Sequence, residues 1–581
     1  MSAAEKPAVA TPPAGAPALR IAVLCSFNLD LIGKPLVKAL ARSGLAAEVF
    51  LSGYGQWQTE VLSPDSALHR FQPTLTFLFL DAEDELPSLT PDGLLPTLEG
   101  AEARGRAAWG RAEGAIRTLL SRLPGPVLCH SMVAPPERSL GLLEGSGGYS
   151  HVAAVDTFNA ALRELAGREP RLHAFGYDSL VREHGWARWY DLRLWHLGRM
   201  RLGAAALPLL ANAYARYVEA LFTPRRKCLV LDLDNTLWGG VLGEDGAGGI
   251  QLGHSGVGLA YREFQMAILA LYHRGIILAA ASKNDAADAL SVLRDHPDMV
   301  LRPEHFACVE INWNDKPGNI ERIAEKLNIG RDSLVFWDDS PMERGMVKSQ
   351  LPEVLVPEVP ADASEYAMFL RRMTCFDVLS LTREDQSRGR MYREQAERDS
   401  FLSQEAPRSL DDYYASLEMV VTIERATDVS APRIAQLTQR TNQLNLTTRR
   451  YTEAEVRARA ADPSWRVVGL SLRDRFGDLG LIGAAMLHEG PEEWELDTFL
   501  MSCRALGRRV EETFASHLAE IAAETGKPLR GVFLPTKKNA PVRELFVRNG
   551  WFLDDLAREE PSYRVQVTTL GRPSFLRVTV T

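Results

Sequence analysis

Cysteine is scarce in this sequence: six residues in 581, at positions 25, 129, 228, 308, 375 and 503, with no CxxC pair among them. That excludes a disulfide framework and a cysteine-rich zinc site, and it fits a reducing cytoplasm. Long apolar runs are missing too. The opening MSAAEKPAVATPPAGAPALR is a Pro/Ala tail, expected to be a disordered leader over residues 1–19, and the first apolar run, IAVLC, is too short for a signal peptide or a membrane span. Nor is there an excess of basic charge. With 66 Lys and Arg against 75 Asp and Glu the formal net charge is −9, which argues against bulk nucleic-acid binding.

What is present is the composition of a soluble globular protein, 46% hydrophobic and 24% charged. The length asks for roughly three domains of about 150–200 residues each. Residues 20–222 alternate strands (IAVLCSF, AAEVFL, PTLTFLFL, PGPVLCHSMV) with helices such as LIGKPLVKALARSG, which argues an α/β layer fold. Residues 223–376 repeat that alternation. There Phe264, Ile268 and Leu271 share one helix face, Gly275 stops that helix, and IILAAA and SLVFW read as buried strands. Residues 377–416 form a charged helical linker, and 417–581 carry four long strands followed by a helix with Val510, Phe514, Leu518 and Ile521 on one face.

The stretch KCLVLDLDNTLWGG places Asp232 and Asp234 directly after four apolar residues. A carboxylate at the C-terminal end of a parallel strand sits where open α/β sheets bind ligands. There Asp232 can attack phosphorus, provided a hard cation offsets its charge, and Mg²⁺ takes carboxylate and carbonyl oxygens. Asp234, on the same side of an extended chain, is placed to protonate a leaving oxygen and then activate water. Such a site also needs a hydroxyl, a fixed cation and a further acid. LAAASKND supplies Ser282, NWNDKPGN supplies Lys316, and LVFWDDSP supplies Asp338 and Asp339, each at a strand or helix edge. Only 49 residues separate Asp232 from Ser282 and 33 separate Ser282 from Lys316, too few for a large lid domain, so an open site is expected.

LDLDNTLWGGVLGEDG, SKNDAADAL, INWNDKPGNI and VFWDDSPMERGMV resemble the haloacid-dehalogenase (HAD) superfamily of phosphotransferases. Together with RTNQLNLTTRRY, RDRFGDLGLIG and MSCRALGRRVEE they are closer to its FkbH-like branch, which serves polyketide assembly lines. The resemblance implies a Rossmann-like HAD domain with a minimal cap. Asp232 is then the nucleophile and Asp234 the acid/base. Ser282, Lys316 and Asn284 bind phosphate, and Asp232, Asp234, Asp338 and Asp339 surround Mg²⁺, with Asp338 favoured over Asp339.

The last block resembles the GNAT acyltransferase fold, α+β, in which a helix N-terminus with exposed N–H groups binds a pantetheine phosphate. Arg504 and Gly507 match its turn pattern, and Arg509 stands where a small residue is usual, which speaks for a single carrier phosphate over free coenzyme A. Arg508 is assigned to the same carrier-binding turn. Cys503, beside Arg504 and near Arg508 and Arg509, is the candidate acyl-thioester carrier, set against a buried core cysteine; Cys308 is a second choice. His488, Asn539, Lys537 and Lys538 are candidates for an acceptor channel, set against solvated loop residues. RTNQLNLTTRR is expected either to bind carrier or substrate or to form a capped turn.

Residues 20–222 resemble the SGNH-hydrolase-like domain of the same branch. Ser26 lacks the glycine and aspartate of an active hydrolase, and Asp191 and His196 stand five apart, not three, so this domain is expected to be non-catalytic. The resemblance as a whole implies a cytoplasmic glyceryltransferase/phosphatase. It would take 1,3-bisphosphoglycerate, remove phosphate and load a glyceryl unit onto the phosphopantetheine thiol of an acyl carrier protein. No nucleic acid or membrane partner is expected. A phosphatase acting on another phosphoester, a related lactyl or acyl transferase, and a non-catalytic scaffold are the alternatives. Because carrier proteins are acidic, a local basic patch around Arg449, Arg450, Arg508 and Arg509 is expected.

Overall fold

The structure is a computed structural model. It describes residues 18–87, 97–134, 141–146, 150–223, 225–379, 381, 389–394, 398, 410–441, 444–502, 508–536, 539–556 and 562–581. The readings on residues 1–17, on Cys503, Arg504 and Gly507, on Lys537 and Lys538, and on much of the linker lie outside the described residues. The chain divides into two compact units, Met1–Thr223 with Asp377–Leu379, and Pro224–Phe376 with Ser380–Thr581.

The first unit is built on five parallel strands, β1 (Leu19–Cys25), β2 (Ala47–Leu51), β3 (Leu75–Phe79), β4 (Val127–His130) and β5 (Leu172–Phe175), in the order β2-β1-β3-β4-β5. Because side chains alternate along a strand, a run that is apolar throughout needs cover on both faces. In β1, Ile21, Val23 and Cys25 join one core with the helix Ala206–Phe222, and Ala22 and Leu24 join another with the helices Leu98–Arg122 and His151–Ala166. Those last two helices approach closely enough that a Cβ on Gly105 would meet the Ala154 carbonyl oxygen at 2.4 Å.

The second unit begins with four parallel strands, β6 (Cys228–Leu231), β7 (Ile277–Ser282), β8 (Phe306–Ile311) and β9 (Leu334–Trp337), ordered β8-β7-β6-β9. Leu229 and Leu231 face one core, Cys228 and Val230 the other. The helix Gly256–His273 buries Phe264, Ile268 and Leu271 as their spacing predicts, and it ends before Gly275 at φ +85°. All neighbouring strands pair parallel, so the C-terminal ends of all four open on one side.

The remaining strands are β10 (Val420–Arg425), β11 (Leu444–Asn445), β12 (Trp465–Asp474), β13 (Gly477–Glu489), β14 (Trp494–Met501), β15 (Leu529–Phe533), β16 (Phe552–Leu556), β17 (Ser562–Val567) and β18 (Arg577–Val580). They form one sheet, β16-β17-β15-β14-β13-β12-β10-β18, with β11 added to β14. Strands β10, β12, β13 and β14 pair antiparallel, and β14 pairs parallel with β15 across the helix Val510–Ala523, whose Val510, Phe514 and Leu518 are buried. The structure bears out the α/β, multidomain reading. Among the described residues no helix is long and apolar enough to cross a membrane.

Two glycines of one helix test this packing. Gly105→Ala should destabilise the protein by about 1–3 kcal/mol through overpacking. Exposed Gly110, with nothing within 4 Å of its added Cβ, should gain roughly 0.5–1 kcal/mol as Ala. Denaturant midpoints of the two variants should therefore move in opposite directions.

Candidate functional site

The acidic motif sits at the carboxyl edge of the four-stranded sheet. Asp232 N–H continues the ladder to Trp337 O at 3.0 Å, so the chain leaves β6 beside β9. It then turns sharply: Asn235 adopts φ +53° and Gly240 φ +94°, and the Asn235 side-chain oxygen accepts from Gly240 N at 2.9 Å. That turn brings Asp234 back over the strand end. Its Oδ1 accepts from Trp238 Nε1 at 2.9 Å and from Leu242 N at 3.0 Å, and its Oδ2 from Asn284 Nδ2 at 2.9 Å.

Lys316 opens the helix Lys316–Lys326, whose N-terminus is fixed by Asp315 accepting from Gly318 N and by Pro317 in the first turn. Its side chain runs inward, 2% exposed as a residue, and the ammonium donates to Ala281 O at 2.7 Å. The same nitrogen pairs with Asp232 Oδ1 and lies 3.2 Å from Asp338 Oδ2. Ser282, fully inside at the end of β7, has its Oγ 3.4 Å from Asn284 Nδ2. Beyond β9, Asp338 Oδ1 accepts from Ser340 N at 2.9 Å, and buried Arg344 donates to the main-chain oxygens of Asp338 and Asp339 at 2.8 and 2.7 Å.

The electrostatics ask for one more positive charge. Oxygens of Asp232, Asp338 and Asp339 lie within 4.8 Å of one another, the only such group of metal-capable side chains among the described residues. Burial, and then repulsion from Asp232, push Asp338 up to about 7 and Asp339 up to about 6. Lys316 shows the reverse: burial alone would lower its ammonium, but the charges of Asp232 and Asp338 raise it. One ammonium against three carboxylates leaves a cluster whose donors, all hard oxygens, fit a hard divalent cation.

One assignment made from the sequence needs correcting here. The Asp234 carboxylate stands apart from the three-acid cluster, bound to Trp238, Leu242 and Asn284, so the side chains placed to hold a metal are those of the other three acids. Asn284, assigned with Ser282 to phosphate binding, directs its amide to Asp234 Oδ2 at 2.9 Å and lies 3.4 Å from Ser282 Oγ. An amide two residues beyond Ser282 gives no sign in the sequence of which partner it takes.

In the last sheet the arginines expected as a basic patch are already paired. Arg508, 7% exposed, lies 3.4 Å from Asp474, which Arg398 also grips at 2.6 and 2.7 Å. Arg449 pairs with Asp497, Arg450 donates to Thr438 O and Thr441 O, and Arg509 lies 3.3 Å from Glu512. Burial pushes the Cys308 thiol up to about 11, away from a reactive thiolate.

RTNQLNLTTRR holds a buried wedge. Strands β14 and β15 pair over only three residues, Trp494–Leu496 with Leu529–Gly531, and then diverge. Leu444 and Asn445 pair with Met501 and Leu500 at the opening, Leu446 N donates to Phe499 O, and Leu534 N donates to Leu446 O. Asn539, fully buried, locks this arrangement: its Nδ2 donates to Asn445 O (3.1 Å) and Leu534 O (2.8 Å), and its Oδ1 accepts from Thr536 N (2.7 Å). Its role is therefore structural. His488, near the end of β13, packs its ring tilted against that of Trp465, with centroids 4.8 Å apart.

In the first unit Ser26 donates to Asp84 at 2.7 Å, Asp191 caps the helix Leu192–Gly198 by accepting from Leu194 N, and His196 is exposed. These three do not form a hydrolytic triad.

No family model and no curated protein matches the chain. Among solved structures it is similar to the N-terminal part of BF1531 from Bacteroides fragilis, containing a phosphatase domain complexed with Mg. That match has 29% identity and a TM-score of 0.56, and it covers 63% of this chain and 95% of the other. Ard1 from Thermoplasma volcanium (13% identity, 26% of this chain and 99% of the other, TM-score 0.21) and the ribosomal-protein-S18-alanine N-acetyltransferase from Escherichia coli (13%, 26% and 96%, TM-score 0.20) also align.

Two measurements follow from these contacts. A divalent cation at about 100 times its dissociation constant should stabilise the protein by about 2.7 kcal/mol. Asp338→Asn should raise the metal-free melting temperature and abolish that increment. Asn539→Ala, which strands buried carbonyls and an amide, should cost about 1–3 kcal/mol for each group left unpaired, read as a lowered denaturant midpoint.

Proposed function

We propose that the protein is a Mg²⁺-dependent phosphatase that also delivers a glyceryl unit from 1,3-bisphosphoglycerate to the phosphopantetheine thiol of an acyl carrier protein. The observation that carries the phosphatase half is the convergence of Asp232, Lys316, Ser282, Asp338 and Asp339 at one strand edge. The likeness to a Mg-complexed phosphatase domain supports it.

Asp232 attacks phosphorus, the bond to the leaving oxygen breaks, and the phosphoryl group rests on the Asp232 carboxylate. Lys316 and the Ser282 hydroxyl, both buried at the strand edge, hold the phosphoryl oxygens. Asp232, Asp338 and Asp339 are the residues that would hold Mg²⁺, which when bound would supply the positive charge a dianion needs to approach these acids. Asp234 transfers the proton through Oδ2, which keeps a lone pair beyond its bond to Asn284. It first protonates the departing alkoxide and then takes a proton from the water that releases phosphate.

Chemical economy divides the two ends of the substrate. The C1 acyl phosphate is activated, and hydrolysing it would discard the driving force for a thioester. In this reading a thiolate, Cys503, attacks the C1 carbonyl and phosphate leaves, while Asp232 cleaves the unactivated C3 ester. The carrier thiol then takes the acyl group by thioester exchange. A second reading, a phosphatase whose last domain only binds, is favoured by the buried pairing of Arg508 with Asp474.

Full-length protein incubated with Mg²⁺, 1,3-bisphosphoglycerate and a phosphopantetheinylated carrier, followed by weighing both proteins, separates the two. Glyceryl mass on the carrier is the expected outcome. In this assay Asp232→Asn should leave phosphoglyceryl on the carrier, Asp234→Asn should slow phosphate release by about 10²–10⁴-fold, and Cys503→Ser should remove acyl transfer. A carrier that gains no mass while phosphate is released would establish the second reading.

A further inference from the structure

The mouth of the phosphoryl site holds a second charge pair that the chemistry above leaves unused. Lys283 follows Ser282 at the end of β7, and Glu343 lies in the first turn of the helix Pro341–Gln350 that follows β9. In the order β8-β7-β6-β9, the strand between them is β6, which delivers Asp232. The 2.6 Å contact from Lys283 Nζ to Glu343 Oε1 therefore bridges the strand end that carries the nucleophile.

The pair is a poor device for stability. Glu343 is 7% exposed, and its second oxygen, Oε2, is buried without a hydrogen-bond partner. Leaving a buried acceptor unsatisfied, above all on a charged group, costs more than a part-exposed ion pair returns. The Lys283 side chain is 36% exposed and that of Glu343 only 10%. The asymmetry suits a cation held in place from behind and open in front.

We infer that Lys283 is a specificity-determining residue, which binds a second anionic group of the substrate, a carboxylate or second phosphate, while Ser282 and Lys316 hold the phosphoryl group being cleaved. Glu343 is a positioning residue that holds the ammonium at the mouth. The substrate class is then a small phosphomonoester with a second anion close to the phosphate. This inference rests on the phosphatase reading and narrows it.

The test compares two nearly isosteric probes, 3-phosphoglycerate and glycerol 3-phosphate, which differ by a carboxylate against a hydroxymethyl group. With Mg²⁺ and full-length protein, kcat/KM should favour 3-phosphoglycerate at least tenfold. Lys283→Met should collapse that ratio by raising KM for the carboxylate-bearing probe, with kcat little changed. Lys283→Arg should restore most of it. Glu343→Gln should lower the ratio in the parent protein and have no further effect in Lys283→Met. A ratio that is near one in the parent, or unchanged in Lys283→Met because both substrates lose equally, would overturn the inference and leave the pair as a latch. If neither probe is turned over, the phosphatase reading falls separately. Calorimetric binding of 3-phosphoglycerate to parent and Lys283→Met then decides Lys283: a tenfold weaker affinity upholds it and an equal one removes it.

Discussion

One ammonium organises the acidic site at the carboxyl edge of the four-stranded sheet. Lys316 reaches from the first turn of its helix to Ala281 O, Asp232 and Asp338, tying the ends of β7, β6 and β9 together beneath the mouth. Without it two buried carboxylates would face each other unscreened, a burden of several kcal/mol per ion even after relaxation. With it the cluster remains negative overall, and burial first, then repulsion from Asp232, hold Asp338 and Asp339 above the usual carboxylate range. The protein alone thus holds the acids in place but leaves their charge for a cation and a phosphate to complete.

The surrounding fold explains why that cluster can be held. Parallel strands buried on both faces have no freedom to slip, because a one-residue shift would carry Leu229 and Leu231 into the core now filled by Cys228 and Val230. The residue after each strand is fixed in consequence. Arg344 then pins the loop beyond β9 through two carbonyls, and the left-handed Asn235 with Gly240 folds the loop beyond β6 back on itself. Rigid strands position the acids, and short turns aim them.

Much of this was legible in the sequence, because apolar runs ending in Asp, Ser or Asp-Asp mark strand ends directly. The period of Phe264, Ile268 and Leu271 and the stop at Gly275 appear in the helix Gly256–His273. What stayed hidden is pairing between distant positions. Asn284 turns to Asp234, Glu343 to Lys283, and Arg508 to Asp474, across separations of 50, 60 and 34 residues. The acidity of carrier proteins called for a free basic patch, but each of these arginines has a carboxylate or carbonyl beside it. Likewise, a polar run around Leu444 and Leu446 reads as a loop until the divergence of β14 and β15 supplies a place for it to be buried.

At the centre of the site, carboxylate oxygens of Asp232, Asp338 and Asp339 lie within 4.8 Å of one another, placed to take one hard cation, while Asp234 is bonded to Asn284. A crystal structure with Mn²⁺ in place of Mg²⁺ measures this directly through the anomalous signal. The expected result is a single strong peak bonded to carboxylate oxygens of Asp232 and Asp338, with Asp234 Oδ2 still accepting from Asn284. A peak elsewhere, or an ion that draws the Asp234 carboxylate into its own shell, would contradict it.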